Sequence, residues 1–153
     1  MPVIEGSTDG AGLRICIVAA RWNEFITSKL VEGASVTLRE CGVAEADVTL
    51  AWVPGSFEVP TAARWAAETG RFDAVICFGA VIRGETAHFE YVAGGAAEGI
   101  AATSRETGVP VIFGVLTTET VQQALDRVGG KEGHKGEEAA RSAIQMANLH
   151  KLF

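Results

Sequence analysis

The sequence predicts a three-layer α/β/α sandwich built on a parallel sheet, and two observations carry that expectation. Four short runs are almost continuously apolar and bounded by Gly, Pro or Asp, as suits strands covered on both faces. Each is followed by a longer segment of helical character. Strand–helix alternation implies parallel strands joined by right-handed crossovers. The length of 153 residues and 48% hydrophobic content suit one domain that buries roughly 70% of its unfolded surface.

The elements follow in order. Residues 1–12 form an N-terminal arm, and residues 13–153 a single domain. Within the arm, Pro2-Val3-Ile4-Glu5 either adds an edge strand to a neighbouring subunit's sheet or frays. The first strand spans residues 13–20. The helix after it, 23–41, aligns Phe25, Leu30, Val31, Ala34, Val36 and Leu38 at roughly helical period. Strand 48–53 leads to helix 56–68, strand 74–82 to helix 87–106, and strand 110–116 to helix 120–128. A last helix, 137–151, closes the chain. The run Ala93-Gly94-Gly95-Ala96-Ala97-Glu98-Gly99 is poor in intrinsic helicity, each glycine costing about 1 kcal/mol relative to Ala. Its small residues permit close packing onto the sheet or against another subunit.

Charge and cysteine usage exclude several classes. A formal charge of −6, a pI near 5.1 and the lack of a basic stripe speak against a nucleic-acid partner. No apolar stretch reaches membrane-spanning length and no signal-peptide pattern is present, so a cytoplasmic protein is expected. Cys16, Cys41 and Cys77 are odd in number and widely spaced, forming neither a disulfide framework nor a zinc pattern. Cys16 and Cys77 read as small buried side chains within strands. His88, His134 and His150 have no metal-ligand spacing, so no metal is expected.

In such folds ligands bind beyond the carboxyl ends of the strands. Four loops lie there: Arg21-Trp22-Asn23, Pro54-Gly55-Ser56-Phe57-Glu58, Arg83-Gly84-Glu85-Thr86-Ala87-His88, and the segment from Phe113 to Thr118. Together they offer a stacking surface, polar hooks and an anion cradle. Trp22 can stack on a planar heterocycle or roof the end of the sheet. Asn23 can cap the first helix through its side-chain acceptor, and capping is compatible with ligand contact. Ser56 can cap the second helix with Glu58 adding favourable negative charge in its first turn, or the two can hold a polyol. The turn before His88 is either an ordinary strand–helix connection with a solvated histidine or an anion site, whose helix N-terminal N–H groups suit a phosphate and whose His88 can move protons near neutral pH. Arg127 suits the dipole at the end of its helix. The segment Gly129-Gly130-Lys131-Glu132-Gly133-His134-Lys135-Gly136 lacks the Walker pattern and follows a helix, so it is not read as a phosphate loop.

Taken in order, Arg21-Trp22-Asn23, Pro54-Gly55-Ser56-Phe57-Glu58-Val59-Pro60, Gly79 through His88, Phe113-Gly114-Val115-Leu116-Thr117 and Lys135-Gly136 resemble the signature segments of the lumazine synthase family. The resemblance runs from about residue 13 to the C-terminus. It implies a flavodoxin-like fold with a four-stranded parallel sheet, assembled into homopentamers. It also implies a transferase of riboflavin biosynthesis, working without metal or organic cofactor. That reaction condenses 5-amino-6-ribitylaminouracil with 3,4-dihydroxy-2-butanone 4-phosphate to 6,7-dimethyl-8-ribityllumazine, releasing phosphate and water.

The resemblance also implies residue roles. Trp22, Asn23, Ser56, Phe57, Glu58, Ala80, Val81, Ile82 and Phe113 bind the ribitylaminouracil, Glu58 taking ribityl hydroxyls. Glu85, Thr86 and Arg127 bind the butanone phosphate, and His88 is the catalytic proton carrier. Phe113 and Arg127 act across a subunit boundary, and Lys135 matches a lysine near it. Some relatives build icosahedral shells from twelve pentamers; the 129–136 connector has no obvious insertion, which favours a shell. Riboflavin synthase is a further expected partner. Two departures stand out: Glu85 must turn its carboxylate away from a phosphate, and His134 stands where relatives often have Asn. The alternative reading is a non-catalytic flavin- or lumazine-binding protein on the same scaffold, which has no need of His88, Thr86 and Arg127 together. An electron-transfer flavodoxin requires a Ser/Thr/Gly-rich loop after the first strand, which Arg21-Trp22-Asn23-Glu24 is not.

Overall fold

A computed structural model describes all residues, Met1–Phe153. Its main sheet has four parallel strands in the order β2-β1-β3-β4: β1 Ile15–Ala20, β2 Val48–Val53, β3 Ala74–Ile82 and β4 Val111–Thr118. The helices are α1 Glu24–Glu40, α2 Val59–Glu68, α3 His88–Thr107, α4 Val121–Asp126 and α5 Lys135–His150. The expected α/β sandwich with a four-stranded parallel core is therefore present, with α1 and α5 on one face and α2 and α3 on the other. No helix is long and apolar enough to cross a membrane.

Period-two alternation along the central strands divides the core in two. Ile15, Ile17 and Ala19 of β1 join Ile76, Phe78 and Ala80 of β3 beneath α1 and α5. Cys16, Val18 and Ala20 join Val75, Cys77 and Val81 beneath α2 and α3. Both faces being covered, β1 and β3 read as unbroken apolar runs. β2 departs from the expectation of burial on both faces. It is an edge strand with no neighbour beyond it, and Thr49 and Leu50 are exposed.

Cys16 and Cys77 are buried free thiols, as expected, and Cys41 is half-buried. Desolvation lifts the Cys16 thiol to about 11, partly offset by the Arg71 charge. It raises Cys77 further, with a smaller push from Cys16. Within the run of small residues in α3, Gly95 and Gly99 pack against their own chain, while Gly94 and Ala97 are exposed. A Cβ at Gly95 would lie 2.8 Å from the Phe57 ring, and one at Gly99 2.6 Å from Pro60.

The connector from 128 to 134 forms an element that composition alone concealed. Val128–Gly130 (β5) and Gly133–His134 (β6) pair as a short antiparallel hairpin. His134 then caps α5, its Nδ1 accepting from the N–H groups of Gly136 (3.1 Å) and Glu137 (3.4 Å). α5 accordingly begins two residues before the expected start. α4 is shorter than expected at both ends: Thr120 stands outside it as N-cap in a reciprocal capping box with Gln123, and Arg127 is its C-cap, Val128 already belonging to β5.

The N-terminal arm is anchored from Gly6 onward. Asn148 of α5 donates to the carbonyls of Ser7 and Asp9, and the Gly10 N–H donates to the Cys41 carbonyl. Met1, Val3 and Ile4 are exposed.

Candidate active site

The strand order reverses between β1 and β3, since β2 lies on one side of β1 and β3–β4 on the other. Such a switch point opens a crevice at the carboxyl ends of the strands. Here it holds a cavity of about 710 Å³, lined from the first three strand-end loops and the first turns of α3. That volume lies within the range of small-molecule sites.

Two hydrogen bonds join the three loops. The Trp22 N–H donates to the Pro54 carbonyl at 3.0 Å, fastening the first loop to the second. Asn23 Nδ2 donates to the Ala80 carbonyl at 2.8 Å, fastening the first loop to the third. Asn23 is the one non-glycine residue with positive φ, at φ 61° and ψ 42°, a conformation Asn tolerates better than most residues. The capping reading is thus corrected: its side chain makes no cap bond, because it spans the switch point instead.

Ser56 is corrected in the same way. It lies in a 3₁₀ turn, Ser56–Glu58, that precedes α2, and it caps nothing. It is 4% exposed and sits against the backbone of Gly79, where any Cβ would collide with its Oγ. Glu58 is the N-cap residue of α2 without a side-chain cap bond, so its carboxylate is available to the cavity. Trp22 does not roof the sheet. It is 74% exposed at the rim, with Phe57 at 59%. Ala80, Val81 and Ile82 line the floor.

Thr86 and His88 complete the far wall. His88 is the first residue of α3, whose N-cap residue, Ala87, has no side chain able to accept from the free N–H groups. The His88 N–H donates to Thr86 Oγ1 at 3.4 Å. Glu85, expected among the phosphate-binding residues, is exposed and does not line the cavity. Sequence reasoning missed Phe89, Tyr91 and Val92, which also line it. Helical spacing offered a signal, since residues three and four after His88 share its face. The wall therefore combines aromatic surfaces, a buried hydroxyl, one carboxylate and one imidazole beside a helix N-terminus. It can accommodate a planar polyhydroxylated molecule next to an anion.

The fourth expected strand-end segment, residues 113–118, is not a loop: β4 runs on to Thr118 and contains all of it, so its side chains lie along the strand instead of beyond its end. Phe113, Arg127 and Lys135 line a second cavity of about 330 Å³ between β4 and α5, which shares no lining residue with the first. Phe113 is 49% exposed. Arg127 is the C-cap residue of α4 and donates through Nη1 to the Gln123 carbonyl at 2.8 Å, as its position near the helix dipole suggested. Lys135 Nζ pairs with Glu138 at 2.9 Å.

Residues 12–151 match the family model described as 6,7-dimethyl-8-ribityllumazine synthase. The chain belongs to the lumazine synthase family. The match spans the whole sandwich and every strand-end loop, so the resemblance of the loops holds over the full domain. Lumazine synthases are transferases of riboflavin biosynthesis, and the four-stranded parallel sheet with order 2-1-3-4 agrees with their flavodoxin-like fold.

Proposed function

We propose that the chain catalyses the condensation of 5-amino-6-ribitylaminouracil with 3,4-dihydroxy-2-butanone 4-phosphate, forming 6,7-dimethyl-8-ribityllumazine. The observation that carries this reading is the single cavity. It unites Trp22, Ser56, Phe57, Glu58, Ala80–Ile82, Thr86 and His88 from three separate loops. The uracil stacks on Trp22, a contact worth about 1–3 kcal/mol by analogy with base stacking. Phe57 and the Ala80–Ile82 floor hold its ring, Asn23 bonds nearby, and Glu58 and Ser56 take hydroxyl and amide groups. The phosphate sits on the N–H groups of Glu85 and Thr86 and the Thr86 hydroxyl, ahead of α3.

The uracil's 5-amino group attacks the ketone and loses water to give an imine. Elimination then expels phosphate. The enol left behind tautomerises to a methyl ketone, its carbonyl arising from the former C3 hydroxyl. The ribityl-bearing nitrogen closes the second ring on that new carbonyl, and water leaves. His88, at the phosphate end of the cavity, takes and returns the protons of these steps, contributing about 10²- to 10⁴-fold. Holding two reactants in one cavity supplies much of the remaining acceleration.

In this reading the second cavity completes a neighbour's site. Phe113 and Arg127 extend across a subunit boundary in a homopentamer, Arg127 adding a charge-assisted bond of about 1.5–3 kcal/mol to the phosphate. Lys135 stands beside them. Pentamers assembling into an icosahedral shell is the further expectation. Light scattering that finds pentamers alone would overturn the shell. Mixing both substrates with the protein, with lumazine fluorescence and phosphate release followed together, tests the activity. Binding of both substrates without either signal would sink it.

A further inference from the structure

Gly84–Ala87, the turn assigned above to the phosphate, is exposed throughout and makes few bonds of its own. Its anchors lie at its two ends, and both involve Arg83. The Arg83 backbone N–H donates to the Thr118 carbonyl at 2.8 Å, binding the end of β3 to the end of β4. Its guanidinium then reaches three further groups. Nε bonds the Glu119 carboxylate at 2.8–3.0 Å, Nη1 bonds Glu90, and the plane lies 4.3 Å from the Phe89 ring centroid. Phe89 and Glu90 directly follow His88, so one planar fork spans the turn and grips the first turn of α3.

Arg83 does not line the cavity. Exposed ion pairs of this kind add little to global stability, being screened and costly in side-chain entropy. Geometry is a different matter, because a displacement of about 1 Å in a reacting group can cost roughly 100-fold in rate. Hydrogen bonding to Arg83 also holds the Glu90 carboxyl below its ordinary range, which favours the charged form of that partner.

We propose that Arg83 is a positioning residue. By clasping Glu90, Glu119 and Phe89 together, it sets where His88 and the Glu85 and Thr86 N–H groups stand relative to the phosphorylated substrate. The inference rests on the reading of this turn as the phosphate and proton end of the site. A lysine cannot replace the fork, since it lacks the planar, multi-donor, stacking guanidinium.

The test compares full-length wild type with Arg83→Lys, Arg83→Gln and Glu90→Gln, measuring kcat, KM for each substrate and the unfolding midpoint. Both Arg83 variants are expected to lose about 10- to 100-fold in kcat. They should raise KM for the butanone phosphate while leaving KM for the uracil substrate within about twofold. Glu90→Gln should reproduce part of the same pattern, and the unfolding midpoint should barely move. Wild-type kinetics in Arg83→Lys would overturn the clasp, because charge alone would then suffice. Equal damage to both KM values, tracking a fallen unfolding midpoint, would reduce Arg83 to general stability and overturn it too. A wild type that forms neither lumazine nor phosphate would instead remove the reading of the site, and the positioning role with it.

Discussion

Asn23 takes a left-handed backbone and donates to Ala80, so one small side chain closes the crevice from below. Replacing it tests both duties. Asn23→Ala should cost about 2–3 kcal/mol, combining left-handed strain with a lost bond. Asn23→Gly should cost about 1 kcal/mol, because only the bond is lost. Chemical denaturation of the two variants separates these terms, and equal losses would contradict the strain. For His88, substitution by Ala should lower turnover about 10²- to 10⁴-fold with substrate binding retained. Full turnover in that variant would remove the proton-carrier role. The cysteines differ by burial: thiol reagents should label Cys41 in the native protein and spare Cys16 and Cys77 until it unfolds. Because burial raises the Cys16 pKa from 9.0 to about 11, its stabilising contribution is complete below the ordinary value. It is lost as pH rises through about 11. Stability should therefore decline across that alkaline window, and a Cys16→Ala variant should show a shallower decline.

The helix ends carry their own consequences. His134 caps α5 through an acceptor nitrogen, so His134→Ala should cost about 1 kcal/mol, and His134→Asn should recover most of it. A cap of this type is hard to foresee, because histidine is not among the favoured cap residues. The approach of the 3₁₀ turn to β3 depends on Gly79. Gly79→Ala should displace Ser56 and destabilise by about 1–3 kcal/mol, a change readable both in denaturation and in KM for the uracil substrate.

Across the whole molecule, the telling fact is that His88 and Arg127 line different cavities of one chain. If a neighbour completes each site, His88→Ala and Arg127→Ala chains are each nearly inactive alone. Unfolded together and refolded as mixed assemblies, they should regain activity at those boundaries where intact His88 meets intact Arg127. Absence of any regain in verified mixed assemblies would return Arg127 to a role within its own subunit.

Sequence patterning sufficed for the four strands and the order of the five helices, because burial on both faces writes an unbroken apolar run and a helix writes its period. β2 shows where that reading stops. It too reads as a mainly apolar run, yet the pairing order makes it an edge with Leu50 in the open. The loops that carry chemistry were also legible, since Trp22, Ser56–Glu58 and Thr86–His88 are more than a connector needs. Their union was not legible, because hydrogen bonds between residues far apart in the chain, Trp22 to Pro54 and Asn23 to Ala80, leave no local pattern. Asn23 and Ser56 looked like caps because their side chains suit that task, and only the packing of one loop on the next gave Asn23 the Ala80 carbonyl as partner and set Ser56 against Gly79. Local chemistry chose the elements and the functional groups; the switch point of the sheet decided which of those groups meet in one cavity and which wait on the opposite edge.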